Sequence, residues 1–349
     1  MTIDIELDQK YLIATLEALV HTPSPTGYAE RGIAMIEREL ETLGFSSART
    51  RKGACILTLT GRENGPGRGL TAHVDTLGGM VKEIKPNGRL RLTKIGGYAW
   101  NTVEGEGCRI FTSSGAEIRG SLLCVKASAH VHGKDVAESK RDDADMEVRL
   151  DALITNAEDA HALGIAVGDY VAFDPRAEFS PAGFFRSRHL DDKAGVACLL
   201  AALKALSSAG VRPTVQTTIH FSNYEEVGHG AASGFPDNLG ELVAVDMAAV
   251  GEGQASDEFH VTVCVKDSGG PYSHALSCRL RSLAEENSIP MKVDIYPYYG
   301  SDAEAFWRAG GDVEIALIGP GIDASHNYER THVEALLATT QLVLAYILS

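Results

Sequence analysis

The sequence predicts an α/β fold in which a mixed, mostly parallel sheet is flanked by helices and carries a β-rich inserted domain. Short apolar runs alternate with amphipathic helical patterns in the first third and the last half of the chain. The segment between them consists of short strand-like runs separated by glycine, asparagine and charged turns. At 349 residues the chain exceeds the usual size of one simple core, so we expect one large domain with an insertion.

The α/β elements follow from hydrophobic periodicity and from helix end signals. Residues 28–43 place Ile33, Ile36 and Leu40 on one helical face, and Gly44 is suited to end that helix. The remaining predicted elements are strands at 54–60 and 69–72, a helix at 194–207, strands at 215–221, 242–245 and 259–265, a helix at 274–286, a strand at 293–296, a helix at 302–309, a strand at 313–318 and a helix near 333–347.

The change of pattern sets the expected domain boundaries. Residues 1–79 and 178–349 are assigned to the α/β domain, and residues 80–177 to the β-rich insertion. Within the insertion, strands are predicted at 89–92, 117–125, 147–150 and 170–173, and the charged stretch 133–147 is predicted to be an exposed loop.

Charge and composition exclude several classes of function. A formal net charge of -15 disfavours nucleic acid and anionic membrane surfaces as partners, because both need a basic footprint. We find no signal-peptide pattern and no apolar run of the ~20 residues that span a bilayer. The six cysteines are scattered, with no Cys-x-x-Cys pair, which favours reduced, buried thiols and a cytoplasmic location.

Polar side chains stand where predicted strands end, which is where open α/β sheets bind ligands. The first motif, residues 71–75, contains His73 and Asp75. Residues two apart in extended backbone point to the same side, so Asp75 is expected to accept the spare ring N–H of His73 and orient it as a metal ligand. A half-buried histidine beside a strand-end acid is the ordinary alternative.

Four further motifs continue the pattern. Asp191 precedes an apolar helix and has two oxygens that can bridge cations, although aspartate is also a common helix cap. Glu225 and Glu226 follow the strand at 215–221, where adjacent carboxylates are costly unless a cation or proton stabilises them. In extended backbone their side chains diverge and can take different roles; a solvated acidic loop is the alternative. Asp246 and His326 follow the strands at 242–245 and 313–318.

Taken together, these motifs contain the ligands of a carboxylate-bridged dinuclear metal site. Such a site needs one bridging aspartate and, for each ion, one histidine and one further carboxylate. Imidazole and carboxylate ligands suit zinc or cobalt, and manganese is also tolerated. The carboxylate left over can act as general base.

The wording and order of the motifs resemble the dinuclear aminopeptidases that include glutamyl aminopeptidase and the tetrahedral (TET) aminopeptidases. The resemblance rests on AHVD, LDDKAG, the Glu-Glu pair, the strand-end aspartate, the tract 299–303 and the final histidine. It implies a zinc-exopeptidase-like fold and two divalent metal ions per subunit. The implied roles place one ion on His73, Asp191 and Asp246 and the other on Asp191, Glu226 and His326, with Glu225 as general base and Asp75 orienting His73.

Spacing selects the branch of that family. About 115 residues separate Asp75 from Asp191, which is room for an inserted domain, whereas the 80 residues from Asp246 to His326 are filled by core elements. This resembles the glutamyl-aminopeptidase type, whose insertion helps to build oligomers from dimers to dodecamers. The stretches SRHLDDKAGVA and SHNYERTH also resemble a branch found with N-acetylglutaminylglutamine amide osmolyte genes.

Other histidines compete for these roles. His332 is an alternative to His326 as the last ligand, but it falls at the start of the closing helix. His130 and His132 have a spacing that can bind metal on an extended strand, although a polar surface strand is the simpler interpretation. Three histidines flank the motifs and are candidates for contacts with the ligands: His189, His220 and His229.

Three functional hypotheses follow. The first is an aminopeptidase that hydrolyses N-terminal peptide bonds of short peptides through a metal-bridged hydroxide. The second is an amidase or deacylase that acts on acylated amino acids or dipeptide amides with the same metals. The third is a non-catalytic protein that kept the fold, which is disfavoured because every ligand position is filled.

Overall fold

The computed structural model describes residues 5–349, which separate into two units along the chain. The larger unit comprises the chain up to Asp75 together with Arg176–Ser349, and the smaller one is Thr76–Pro175. The insertion was expected to run from residue 80 to residue 177, so both expected boundaries lie a few residues after those of the smaller unit.

Helices and strands are numbered in chain order. The helices are α1 (Gln9–His21), α2 (Glu30–Thr42), α3 (Ala129–His132), α4 (Asp135–Glu138), α5 (Ala157–Ala162), α6 (Leu190–Ala209), α7 (His274–Glu286), α8 (Asp302–Arg308) and α9 (Val333–Leu348). The strands are β1 (Ala48–Arg49), β2 (Cys55–Leu59), β3 (Gly67–His73), β4 (Gly78–Ile84), β5 (Leu90–Ile95), β6 (Gly107–Phe111), β7 (Glu117–Cys124), β8 (Met146–Leu150), β9 (Tyr170–Phe173), β10 (Glu178–Phe179), β11 (Phe184–Ser187), β12 (Thr217–Ser222), β13 (Leu239–Val245), β14 (Ala248–Val250), β15 (Val261–Lys266), β16 (Met291–Ile295), β17 (Glu314–Asp323) and β18 (Glu329–His332).

The larger unit is built on a mixed sheet, so the predicted fold class is confirmed. The strand order is β1-β2-β12-β3-β13-β17-β18-β11-β10, with β14 and β15 also paired to β17 and β16 paired to β15. The four central strands β12, β3, β13 and β17 run parallel to one another. Antiparallel pairs join the strands on either side of this centre.

Both faces of this sheet are covered. Along β13, Val243 and Val245 belong to one hydrophobic core, whereas Leu242 and Ala244 belong to another. Alternate side chains of a strand point to opposite faces, so the two cores lie on opposite sides of the sheet. Helices α1, α2, α6, α7 and α9 contribute to the first core and α8 to the second. This burial explains the continuous apolar runs from which the strands were predicted.

Strand β17 is longer than predicted. The expected end was residue 318, yet the strand continues through Gly319, Pro320 and Gly321. Pro320 is tolerated because it lies between the stretch of β17 that pairs with β13 and the stretch that pairs with β14. A Cβ atom at Gly319 would overlap the backbone carbonyl of Asp246, and one at Gly321 would overlap that of Asp257.

The sequence analysis missed α1 and the short strands that complete the sheet. Helix α1 buries Leu12, Leu16 and Leu19 and is capped by Asp8, whose side chain accepts from the Tyr11 N–H. Its spacing of apolar residues is a clear helical pattern. Strands such as β10 and β14 have only two or three residues, which is too few to show alternation.

The smaller unit is a closed antiparallel barrel in the order β4-β5-β8-β7-β6-β9. Its core includes Leu92, Ile110, Leu122 and Val148. Strands β4 and β6 were not predicted. The polar strand expected around His130 and His132 was wrong, because these residues form the single turn α3.

The cysteines agree with the expectation of free, mostly buried thiols. All six cysteines are free, and five of them are buried; Cys278 is only partly buried. Within residues 5–349, no helix is long and apolar enough to cross a membrane.

The close approach of β17 to Asp246 yields a stability prediction. We expect Gly319→Ala to destabilise the protein by about 3 kcal/mol, because backbone atoms must move to admit the methyl group. Gly251→Ala is the matched control, since nothing lies within 4 Å of a Cβ there, and its effect should stay within about 0.5 kcal/mol. Denaturant unfolding measures both. Equal free energies of unfolding for the two variants would contradict the packing described for β17.

Candidate metal centre

The order of the central strands brings the predicted residues together. His73 ends β3, Glu225 and Glu226 form a 3-10 turn after β12, and Asp246 directly follows β13. His326 lies in the loop after β17. These strands are neighbours in the sheet, and neighbouring strands are about 4.8 Å apart, so side chains beyond their carboxyl ends converge.

Asp191 lies between the two histidines. Its Oδ1 is 3.1 Å from Nε2 of His73, and its Oδ2 is 3.3 Å from Nε2 of His326. Asp191 belongs to the first turn of α6 but has non-helical backbone angles, and it is joined to Asp192 by a cis peptide bond. One carboxylate therefore faces both imidazoles, which is the arrangement expected of a bridging ligand.

The other carboxylates complete a cluster on each side of Asp191. Nε2 of His73 is 3.7 Å from Oε2 of Glu225 and 3.9 Å from Oδ1 of Asp246. Nε2 of His326 is 3.6 Å from Oε2 of Glu226. Two groups of three have ligand atoms that all lie within 4.8 Å of one another: His73, Asp192 and Asp246, and His73, Asp191 and Glu226.

The donor set fits divalent cations. Among residues 5–349, Oε1 of Glu226 is buried with no hydrogen-bond partner, although a buried carboxylate oxygen without a donor is costly. Imidazole nitrogens and carboxylate oxygens are ligands that zinc, cobalt and manganese share. A pair of cations held by these residues would give Oε1 of Glu226 a partner and would offset the negative charge of the clustered carboxylates.

Burial and mutual repulsion perturb the ionisation of the cluster. Burial, with Asp191 next in importance, raises the pKa of Glu226 to about 8 and the pKa of Asp246 to about 7. Burial also raises the pKa of Glu225 well above its ordinary value. For His73, burial disfavours the charged form, but Asp191 and the other carboxylates outweigh it and raise the pKa of the imidazole. The metal-free cluster therefore retains protons that cations would displace.

Asp75 acts differently from the expectation. Nδ1 of His73 donates to the backbone carbonyl of Asp75 at 2.9 Å, whereas the Asp75 carboxylate Oδ1 is 3.7 Å away. The carboxylate accepts from the Thr26 hydroxyl at 2.6 Å and from the backbone N–H groups of Glu225 and Glu226 at 3.2 and 3.4 Å. Asp75 thus orients His73 through its main chain and holds the Glu225 turn through its side chain.

The sequence analysis expected extended backbone at the two glutamates, whereas the structure places them in a 3-10 turn. Tyr224 precedes it in a left-handed conformation with φ 73°, and Gly228 ends it at φ 86°. The ring of Tyr224 stacks on that of His229 with centroids 5.4 Å apart. Lys52, in the turn between β1 and β2, donates to the carbonyl of Gly230 at 2.7 Å and so connects that turn to this loop. The two carboxylates diverge because of the turn geometry.

The competing histidines lie elsewhere. His332 caps α9 and contacts the carbonyl of Ala182 at 2.8 Å, so the structure brings His326 and not His332 to the cluster. His220 is buried and stacks on Phe235, with centroids 5.0 Å apart, and burial lowers its pKa to about 4. His189 is the left-handed residue that precedes α6.

Comparisons with known proteins address the family directly. The sequence profile of the M42 glutamyl aminopeptidases matches residues 53–342. A Bacillus subtilis protein named "Putative aminopeptidase YhfE" is 47% identical over 334 residues, which are 96% of each chain. The glutamyl aminopeptidase of Lactococcus lactis is 24% identical and covers 91% of this chain and 90% of its own.

This chain belongs to the M42 glutamyl aminopeptidase family. It is a hydrolase of the metallo-aminopeptidase class, and the resemblance stated from its motifs is confirmed. The TET1 peptidase of Pyrococcus horikoshii has the same fold, with a TM-score of 0.85 at 22% identity over 97% of this chain and 99% of that one.

Three acidic residues of this M42 aminopeptidase were missed as parts of the site. The Asp192 carboxylate accepts from the N–H of His73 at 3.3 Å and of Gly195 at 3.0 Å. Asp302 accepts from the hydroxyls of Thr71 and Ser222 and from the Ala231 N–H. Glu329 accepts from backbone N–H groups of two ligand segments. All three lie within or near the quoted motifs, and this proximity in sequence was the one sign that they belong to the site. Their hydrogen bonds depend on the tertiary structure and could not be predicted.

The raised carboxyl pKa values predict how the metal-free enzyme responds to pH. Folding raises the pKa of Glu226 to about 8, so between its unfolded pKa of roughly 4 and pH 8 the folded state binds more protons. Its contribution to stability is complete below about pH 4 and falls as the pH rises, by at most about 1.4 kcal/mol per pH unit.

The measurement is the free energy of unfolding of the metal-free protein between pH 5 and 8. Glu226→Gln lacks this titration, so its stability should exceed that of the wild type increasingly as the pH rises. Added zinc or cobalt should remove the part of the wild-type pH dependence that Glu226 contributes, since a bound cation replaces its proton. A difference between the two proteins that stays constant with pH would contradict the ionisation described for Glu226.

Proposed function

We propose that this protein removes N-terminal residues from short peptides and that two divalent cations in one site support the reaction. The observation that carries the proposal is the placement of Asp191 between His73 and His326, at 3.1 and 3.3 Å, with carboxylates on both sides. Membership of the M42 aminopeptidases supports the reaction class.

The ligand roles divide around the shared carboxylate. In our proposal, His73, Asp191 and Asp246 hold one ion, and Asp191, Glu226 and His326 hold the other. Zinc or cobalt fits this set best, and manganese is tolerated. Two cations bound here would supply Lewis acidity, which lowers the pKa of a coordinated water and polarises the scissile carbonyl.

Glu225 is the proposed general base. Its Oε2 faces the same imidazole as the ligands, 3.7 Å from Nε2 of His73. In this role it takes a proton from the water as the new C–O bond forms, and it then gives that proton to the nitrogen of the leaving amine as the peptide C–N bond breaks. The backbone N–H of Glu225 donates a hydrogen bond to the Asp75 carboxylate, which keeps the base in place during the proton transfer.

Charge favours a free N-terminus over a blocked one. Lys52, Arg188 and Lys193 lie near the site, whereas eight acidic residues lie in or beside it: Asp75, Asp191, Asp192, Glu225, Glu226, Asp246, Asp302 and Glu329. A cleft with excess negative charge attracts the ammonium group of a peptide N-terminus. An acyl cap removes that charge.

The assembly is also a proposal. The Pyrococcus horikoshii TET1 peptidase, which shares the fold, assembles into a tetrahedron or a large octahedral shell. We infer that this chain forms a homo-oligomer, between a dimer and a dodecamer, and that the barrel unit contributes to its contacts. The assignment to the branch found with osmolyte genes stays a prediction.

The base and the bridge are separable by substitution. Glu225→Gln should lower kcat by roughly 10²- to 10⁴-fold while two ions remain bound, because only the proton acceptor is lost. Asp191→Asn should lose metal and activity together, because it weakens a ligand that both ions share. Metal analysis and turnover of an amino-acyl p-nitroanilide measure both effects. Full activity in Glu225→Gln would rule out its assignment as base, and an unchanged metal content in Asp191→Asn would rule out the bridging role.

Blocked substrates test the aminopeptidase proposal against the amidase alternative. Peptides with a free N-terminus should be cleaved at least about 100-fold faster than their N-acetylated counterparts, because the acyl group removes the cation that the site attracts. The comparison uses kcat/KM of matched free and acetylated dipeptides and dipeptide amides. Faster cleavage of acetylated substrates would favour the deacylase and overturn the proposal.

A further inference from the structure

Glu329 joins the two segments that supply the ligands of the second ion. Its side chain is buried, with 2% of the residue exposed. One carboxylate oxygen, Oε2, accepts from the backbone N–H of Leu190 at 2.7 Å and of Asp191 at 3.2 Å. The other, Oε1, accepts from the N–H of His326 at 3.0 Å. A single carboxylate therefore fixes the main chain of both residues.

Both segments need that support because each contains a left-handed residue. His189 has φ 70° and His326 has φ 62°. Such a conformation is unfavourable for a non-glycine residue, and it persists where neighbouring contacts impose it. His189 is the N-cap of α6, yet its side chain makes no capping hydrogen bond. Glu329 accepts from buried N–H groups at the start of α6, where the helix itself supplies no acceptor.

The strand that carries Glu329 is itself tied to both segments. Glu329 pairs with Ser187 of β11, which leads into α6. The next residue, Arg330, pairs with Asp323 of β17, which leads into the loop of His326. The Thr331 hydroxyl donates to the carbonyl of Gly321 at 2.7 Å. The carboxylate thus has a fixed position relative to the chain on either side of the cluster.

Of the proposed ligands of the first ion, Asp191 is shared with the second ion, and the other two, His73 and Asp246, are held in another way. His73 ends a central strand, and its N–H donates to Asp192. The N–H of Asp246 donates to the carbonyl of Ile318 at 2.9 Å, within the sheet. Since neither of these hydrogen bonds involves Glu329, a change at Glu329 acts directly on Asp191 and His326 and not on His73 or Asp246.

We propose that Glu329 is a positioning residue that sets the separation of Asp191 and His326 and thereby the affinity of the second cation. Both of its carboxylate oxygens accept from backbone N–H groups, so its role in this proposal is to hold the main chain of the ligands. The inference rests on the proposed two-ion site and adds a residue that determines whether both ions are held.

Glu329→Gln tests the proposal directly. A glutamine has one acceptor oxygen, so it can serve either α6 or His326, and its NH2 group would face an N–H on the other side. Glu258→Gln is the matched control, because Glu258 lies outside the cluster and forms an ion pair, at 2.6 Å, with Arg330, the residue that follows Glu329. The metal-free proteins are titrated with Co²⁺ by calorimetry and by visible absorption, which reports the coordination of each ion.

In wild type and Glu258→Gln we expect two Co²⁺ ions. In Glu329→Gln the first ion should bind within about threefold of wild type, whereas the second should bind about 10- to 100-fold more weakly. Its kcat should recover at saturating Co²⁺, because the catalytic groups are intact, and KM should change little. A purely structural role would instead lower the melting temperature and weaken both ions alike.

Two ions bound with wild-type affinities in Glu329→Gln would overturn the inference and leave the proposed function standing. Equal weakening of both ions would overturn it as well. A wild type that takes up a single ion would overturn both the inference and the proposed function. If Glu329→Gln does not fold, Glu329→Asp takes its place: it keeps the charge but is one methylene shorter, and the same selective loss of the second ion is expected.

Discussion

The carboxylates of Asp191, Glu226 and Asp246 lie beside two imidazoles beyond the ends of buried, adjacent strands. Carboxylates repel one another strongly where water is excluded, so this arrangement demands positive charge or protons. In the metal-free protein, protons meet that demand, because burial and the neighbouring Asp191 raise the pKa values of Glu226 and Asp246. Divalent cations would meet it better at neutral pH, and Oε1 of Glu226, which is buried with no hydrogen-bond partner among residues 5–349, would gain a partner from one of them. The site is therefore unfavourable for folding and favourable for cation binding for the same reason.

Around the cluster, a second set of acids offsets its cost through hydrogen bonds. Asp75 accepts from the turn of Glu225, Asp302 joins β3 and β12 to the loop after that turn, and Glu329 joins α6 to the loop of His326. Each accepts from at least one backbone N–H that has no partner in a helix or sheet. The ligand-bearing segments are irregular, so these acids replace the hydrogen bonds that regular structure supplies elsewhere.

The sequence was enough to choose the candidate residues of the site, but not to predict how the fold brings them together. His73, Asp191, Glu226, Asp246 and His326 were identifiable because polar residues after apolar runs are unusual and because they recur in a known order. Strand order was not predictable: periodicity shows that β12, β3, β13 and β17 exist but not that they are neighbours. Main-chain contacts were equally hidden, as with the Asp75 carbonyl that accepts from His73. The end of β17 was misjudged because glycine and proline normally end a strand, whereas here close backbone approach requires the glycines.

The sheet explains why so few residues define the chemistry. Parallel strands that are neighbours but far apart in sequence deliver a glutamate pair, a histidine, an aspartate and a second histidine in spatial order. Their spacing of about 4.8 Å is close to twice a typical metal–ligand distance, so one cation can bridge ligands from adjoining strands. Only Asp191 comes from outside this row, and it is the residue that faces both histidines. Its position relies on the start of α6 and on Glu329, since no central strand fixes it. The proposed bridging position is thus the part of the site with the least support from regular structure, and a single buried carboxylate, Glu329, holds its main chain.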